Sequence, residues 1–195
     1  MTYHLQPKRL YLASESPRRS ELMAQLNLDF KVFSVPIDEQ IFKGEAPDAY
    51  VERMAFSKAK SALVELDADF DWVVGGDTAV IIDGKILGKP KDEAHTMEML
   101  EQLSGKRHFV LSAVALANGD TIRSKVCRTE VSFKVLSNDE IKQYIDSKEP
   151  FGKAGAYAIQ GFGASFVEHI NGSYSGVMGL PLFELNQLLE KSGYK

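Results

Sequence analysis

The feature that most constrains the fold is a junction near the N-terminus, where an apolar run breaks into a charged turn and resumes at helical spacing. Leu10-Tyr11-Leu12-Ala13 is followed by Ser14-Glu15-Ser16-Pro17-Arg18-Arg19, and apolar residues return at Leu22, Met23 and Leu26. This pattern predicts a buried strand feeding the N-terminus of a helix, with Ser16 placed to cap and Pro17 suited to the first helical position. Free backbone N–H groups, the positive end of a helix dipole and two guanidiniums would meet at that corner, a combination that attracts phosphate. The same residues also fit an ordinary solvated helix start, so the rest of the chain has to decide.

Further along, Asp29–Val35 reads as a second strand and Pro47 opens a long amphipathic helix with an apolar stripe from Val51 through Met54, Ala55, Ala59 and Ala62 to Leu66. Trp72-Val73-Val74 reads as a short buried strand stopping at Gly75-Gly76-Asp77-Thr78, and Asp83-Gly84 as the turn of a hairpin between Ala79–Ile82 and Lys85–Leu87. A helix is expected over Asp92–Leu103 with Gly105 as its stop, then a long hairpin, Phe109–Ala117 and Thr121–Val135, turning at Asn118-Gly119. Ser137-Asn138-Asp139-Glu140 is a capping box that opens a helix to about Ser147. A glycine-rich stretch, a strand Ser165–Ile170 and a last helix from near Pro181 complete the chain. Alternating strands and helices followed by a long hairpin predict a mixed α/β sheet rather than a fully parallel one. No repeat or long linker divides it, so residues 1–195 are expected to form a single domain.

The net charge of −4 argues against wholesale binding of nucleic acid or an acidic membrane, while leaving room for a local cationic pocket. Cys127 is the single cysteine, which excludes an internal disulfide and reads as a half-buried structural thiol. No apolar leader or membrane-spanning segment is visible, so a cytoplasmic protein is expected. His4, His95, His108 and His169 show no metal-ligand spacing.

Polar chemistry gathers near predicted element ends at Arg18 and Arg19, Glu39, Lys58, Asp77-Thr78, Lys89 and Gln160. Two carboxylates and four cations are the inventory that phosphoryl chemistry needs: charge to hold phosphate oxygens, carboxylates to hold Mg²⁺ or orient water. Asp77 is the sharpest candidate, expected at a strand end with little steric cover; the plain alternative is a turn-forming aspartate. Taken singly, Glu39 reads as an exposed loop acid, Lys58 as a snorkelling helix lysine and Lys89 as a surface lysine. Gln160, amid glycines and apolar residues, is poorly placed for an unpaired amide, which favours a specific hydrogen-bonding role.

Together these residues resemble the Maf-type nucleoside triphosphate pyrophosphatases. The resemblance runs over nearly the whole chain: Leu12-Ala13-Ser14-x-Ser16-Pro17-Arg18-Arg19, Glu39, Lys58-Ala59, Gly76-Asp77-Thr78, Gly88-Lys89-Pro90, Leu103-Ser104-Gly105, Lys153-Ala154-Gly155-Ala156-Tyr157-x-Ile159-Gln160-Gly161, and Gly172-Ser173-Tyr174 ahead of Gly179-Leu180-Pro181-Leu182. It departs at Gly176, where the family often has Asn before the valine. The resemblance implies an inosine triphosphatase-like fold, a twisted mixed sheet with flanking helices in two lobes around a central cleft, often as a homodimer. It implies hydrolysis of a nucleoside triphosphate to the monophosphate and pyrophosphate with a divalent metal cation (Mg²⁺ or Mn²⁺), and a link to septum formation. Asp77 would be the proton acceptor; Ser14, Arg18, Arg19, Lys58 and Lys89 would hold the triphosphate; Glu39 and Asp77 would hold metal. Family members acting on dTTP and UTP look like this chain at Arg18, Thr78 and Gln160, whereas those acting on 7-methyl-GTP carry Trp, Gln and Glu there. Two other readings stay open: a nucleotide-binding regulator without turnover, and a hydrolase of inosine-type nucleotides.

Overall fold

In the computed structural model, which describes residues 9–66 and 71–194, seven strands form one mixed sheet flanked by helices. His4 lies outside the described residues. The first junction is as predicted: β1 (Leu10–Ala13) leads into α1 (Pro17–Ala24). Ser16 occupies the cap position, but its side chain makes no cap hydrogen bond, and its carbonyl instead accepts from the N–H groups of Arg19 and Ser20. β2 is only Lys31–Val32, far shorter than the expected Asp29–Val35. It is an edge strand whose one partner is β1, and β1 leaves the sheet after Ala13.

The long helix α2 is Pro47–Leu66, and β3 is Trp72–Ile82. The expected stop at Gly75-Gly76 does not occur. β3 pairs without interruption to β5 (Arg107–Asn118), from Val73 opposite Ala117 to Ile81 opposite Phe109. Gly75 is there for close approach: a Cβ would stand 2.2 Å from the Ala55 carbonyl oxygen and 2.7 Å from the Ala59 nitrogen. The glycine and the alanines of α2 therefore let the helix backbone lie on the strand. As a result Asp77 sits mid-strand and is only 8% exposed, rather than standing uncovered at a strand end.

β4 (Lys85–Leu87) folds back on β3 through Asp83-Gly84, both with positive φ, as the Asp-Gly signal predicts. α3 (Glu93–Leu103) follows, with the Asp92 side chain capping the His95 N–H. β5 and β6 (Thr121–Phe133) make the long hairpin, with Asn118 opposite Thr121, so its turn is Gly119-Asp120. α4 (Asn138–Asp146) carries the predicted capping box. Short 3-10 turns at Ala154–Ala156 and Phe162–Phe166 precede β7 (Val167–Asn171), which pairs with β6. A five-residue helix, α5 (Tyr174–Met178), had no signal in the sequence; α6 (Leu182–Lys191) ends the chain. β1 is parallel to β2 and β3 and the other pairs are antiparallel, which is the expected mixed sheet.

The period-two alternation of β3 sorts the core. Val73, Ala79 and Ile81 face α2 together with Val51, Ala55 and Ala59. On the opposite face, Val74 packs with Leu22, Leu180, Leu185 and Leu189 at one end. Val80 and Ile82 pack with Leu100, Phe133, Tyr144 and Phe166 at the other. Between those apolar ends lies a polar band in which Thr78 is opposite Ser112.

His108 anchors the second of these ends. It is 1% exposed, its Nε2 is 2.8 Å from the Tyr157 hydroxyl, and burial pulls its pKa down to about 4. Between 6.5 and 4 the unfolded chain binds the proton and the folded chain does not, so stability is full above 6.5 and falls as pH drops toward 4. The full shift corresponds to about 3 kcal/mol. Urea unfolding should show this loss from pH 7 down to pH 4.5, and His108→Gln should flatten the profile. An unchanged slope in the variant would place the acid-sensitive group elsewhere.

Candidate functional site

The site arises because one edge of β3 is shared by two strands that do not meet. β1 pairs with Trp72–Gly75 and β4 with Val80–Ile82, leaving residues 76–79 between them. Trp72 donates its N–H to Arg9 across this edge. By alternation Thr78 also turns its N–H and carbonyl toward it, beyond the reach of either neighbour's register. β1 leaves as the Ser14–Ser16 turn into α1, and β4 returns through Gly88 and Lys89, so both exits wall the opening. The cleft has a volume of about 670 Å³ and its wall includes Ser14, Arg18, Arg19, Glu39, Lys58, Asp77, Thr78 and Lys89. All the predicted site residues are thus brought together except Gln160.

Gln160 is exposed and lies outside the cleft wall. Gly155–Ile159 turn inward and the chain emerges at Gln160, so the expectation of an amide held among apolar groups is corrected. Lys153, quoted above only as part of a motif, does line the cleft. Burial pushes its pKa down, and the neighbouring Arg18 charge adds to that. Tyr50, one turn into α2, is a further wall residue the sequence did not single out, and burial beside Asp77 and Glu39 pushes its hydroxyl up to about 12.

Lys58 is neither snorkelling nor free. Its Nζ donates to Asp77 Oδ1 at 2.6 Å and lies 2.8 Å from Glu39 Oε1. One ammonium therefore bridges the two carboxylates. Burial would raise the pKa of Glu39, but the Lys58 hydrogen bond and charge, with Lys89 and Arg19 beyond, hold it below the usual carboxylate range. A cation is thus already accommodated between the two oxygens.

Arg19 is fixed on the other face. Its Nε donates to the Gly179 carbonyl at 2.8 Å, Nη1 to Ser14 Oγ at 3.2 Å and Nη2 to Thr78 Oγ1 at 3.4 Å. Thr78 Oγ1 is 2.9 Å from Ser112 Oγ and donates to the Gly179 carbonyl, while Ser112 donates to the Gly176 carbonyl at 2.5 Å. Gly179, at φ +125°, ends α5 in a conformation open to glycine, placing its carbonyl over the polar band. Burial lowers the Arg19 pKa against the pull of Asp77 and Glu39, yet a guanidinium keeps its charge at any working pH. These three acceptors of Arg19 are all neutral oxygens, so its charge is left for an anion. Arg18, half-buried on the wall and also lowered by burial, adds a second.

The wall thus carries five cations (Arg18, Arg19, Lys58, Lys89, Lys153) and three acids (Glu15, Glu39, Asp77). That excess suits a polyanion with oxygen donors set to one side. Asp77 and Glu39 are hard oxygen ligands of the kind Mg²⁺ and Mn²⁺ take alongside phosphate and water. Among the described residues no group of three or more His, Cys, Asp or Glu gathers, so the protein offers a two-carboxylate set rather than a full cage.

Residues 9–192 match the family model described as Maf-like protein. The chain is 52% identical over 181 residues to a dTTP/UTP pyrophosphatase of Pseudoalteromonas translucida, covering 93% of this chain and 95% of that one. It is 50% identical over 179 residues to one from Pectobacterium atrosepticum, covering 92% and 90%. A third, from Hydrogenovibrio crunogenus, is 44% identical over 187 residues, covering 96% and 97%. Among the described residues, no helix is long and apolar enough to cross a membrane.

The Lys58 bridge has a measurable consequence. Lys58→Met would leave Asp77, with a side chain 11% exposed, charged and facing Glu39 without the ammonium. Urea unfolding should report a loss of about 3 kcal/mol. Lys58→Met combined with Asp77→Asn should recover much of it, because the amide carries no charge.

Proposed function

The chain belongs to the Maf-like family, and on that premise we propose that it is a nucleoside triphosphate pyrophosphatase of one domain, releasing the monophosphate and pyrophosphate. The observation that carries this reading is a buried aspartate in an unfilled stretch of strand edge, with acids on one side and uncommitted cations on the other. A phosphate chain entering the cleft would meet Arg18, Arg19, Lys89 and Lys153, with Ser14 and the first turn of α1 beside it. Ser16 closes no side-chain bond onto that turn, leaving its positive end to the ligand.

Asp77 would accept the proton of the attacking water while the water oxygen bonds to phosphorus and the α–β anhydride P–O bond breaks. Glu39 and Asp77 would hold a divalent cation, which when bound supplies neutralisation of phosphate charge. Lys58 orients both carboxylates and, by the resemblance, would also help hold the triphosphate. Tyr157, Val80, Leu87 and Val110 give the cleft an apolar wall against which a base can lie. A regulator that only binds nucleotide would gain nothing from burying Asp77 beside an anion unless a metal is involved, which counts against binding without turnover.

Purified protein should release pyrophosphate from a triphosphate with Mg²⁺ or Mn²⁺ present and stop when the cation is chelated. Asp77→Asn should fold and still bind nucleotide while kcat falls about 10²–10⁴-fold. A near-normal rate at saturating cation would remove Asp77 from the role of base.

The relatives' names favour dTTP and UTP as substrates. Gln160 enters this part of the proposal through the resemblance, with a chemical reason: a uracil or thymine edge offers an acceptor beside the N3–H, and an amide presents one donor and one acceptor. Guanine's adjacent donors suit a carboxylate instead. Comparing kcat/KM should give dTTP and UTP the advantage over guanine nucleotides, by about 1–3 kcal/mol from a bidentate edge contact. Gln160→Glu, and more so Arg18→Trp with Thr78→Gln and Gln160→Glu, should move preference toward 7-methyl-GTP. Wild-type preference for a purine nucleotide would overturn the base assignment.

A further inference from the structure

Residues 33–46, between β2 and α2, carry Glu39 without belonging to any strand or helix. An unsupported carboxylate on such a segment would not be held beside Asp77, yet Glu39 is. The support comes from α2. Arg53 forms a two-pronged ion pair with Glu45, Nε to Oε1 at 2.6 Å and Nη2 to Oε2 at 2.7 Å. The same Nη2 donates to the Gln40 carbonyl at 2.8 Å, and the guanidinium carbon lies 4.0 Å from the centre of the Phe42 ring. Glu45 Oε2 in turn accepts the Phe42 N–H, and the Glu45 N–H closes a turn onto the Phe42 carbonyl. One turn before Arg53, the Tyr50 hydroxyl donates to the carbonyl of Glu39 itself. Asp38 accepts the Gln40 N–H, bracing the segment from the other side.

We propose that Arg53, which lies outside the cleft wall, is a positioning residue for the site: it clamps the 38–45 segment to α2 and thereby sets the Glu39 carboxylate beside Lys58 and Asp77. Several details support a clamp over an incidental surface pair. The Glu45 side chain is only 8% exposed although its segment is irregular, and the Arg53 hydrogen bonds hold its pKa below the usual range. The guanidinium's flat fork is used in full, on a carboxylate, a backbone carbonyl and an aromatic face, a set that an ammonium cannot serve at once. Arg53 and Lys58 also share one helix, five residues apart, so the part that holds the segment and the part that meets Glu39 move as one body. The proposal rests on the role given to Glu39 above.

The test is a kinetic cycle on the whole protein, using Arg53→Met, Glu39→Gln and the two combined, with Mn²⁺ binding followed by its paramagnetic resonance signal without nucleotide. Met keeps an apolar stem against Phe42 and removes the fork. Arg53→Met should lower kcat/KM and weaken Mn²⁺ binding roughly ten-fold, the scale for groups that orient a ligating carboxylate. Glu39→Gln should do at least as much, and adding Arg53→Met to it should cost no more than about two-fold further, since the clamp acts through Glu39. Arg53→Lys should fail to restore the wild-type values, and Glu45→Gln, which cuts the same pair from the other side, should reproduce the loss should Arg53→Met fold poorly. Losses that multiply in the double variant, or an Arg53→Met protein with wild-type kinetics and Mn²⁺ binding, would overturn the clamp while leaving the function of the cleft intact. A Glu39→Gln protein with wild-type values would overturn the role of Glu39, and the clamp with it.

Discussion

Between Gly75 and Val80, β3 is held along one edge by β5, while along the other β1 has ended and β4 has not begun. A buried strand with an open stretch of edge would normally be a liability, since its backbone polar groups seek partners. Here that stretch is the floor of the cleft. The two strands that leave it supply the walls, and their exits, one into α1 and one toward Lys89, bring most of the cations. The uninterrupted pairing to β5 is what permits the opening, because it holds β3 in place where residues 76–79 have no strand on the other side.

Alternation along the same strand separates the chemistry into two faces. Asp77 points to the α2 side, where Lys58 bridges it to Glu39; Thr78 points to the other, where Arg19, Ser14, Ser112 and two carbonyls of the α5 region form a hydrogen-bonded set. The acids and the guanidinium are thereby kept from pairing directly, although their charges still act on one another. Had Arg19 and Asp77 shared a face, they would have paired and left little charge for an anion. Gly76 fits the same logic, since a Cβ there would stand 3.4 Å from Arg19 Nε and 3.3 Å from Leu180.

α2 ties stability to the site. Its alanines allow the approach to Gly75, Lys58 enters the cleft, Tyr50 lines it, and Arg53 holds the segment that carries Glu39. Substitutions that push α2 away from β3 would disturb three functional positions together, because the helix is packed through backbone contact rather than through side chains with room to adjust.

What the sequence determined by itself was local. The β1–α1 junction, the Asp83-Gly84 turn and the Ser137–Glu140 capping box were legible because neighbouring residues specify them through φ preferences and short hydrogen bonds. The residue types of the site were legible too, since their chemistry and order resemble a known family. Partners more than a few residues apart were decided only by tertiary structure. Gly75-Gly76 looked like a strand end because glycine ends strands in isolation, and only the approach of Ala55 and Ala59 reveals why it stands in the middle of one. Glu39 looked like a loop acid, Lys58 like a solvated lysine and Arg53 like nothing in particular, because each takes its role from a partner on another element. Gln160 erred the other way: its apolar neighbours in sequence face inward while it faces out. Sequence fixes what each residue can offer; which charges meet depends on where β1 and β4 let go of β3, and no local pattern encodes that separation.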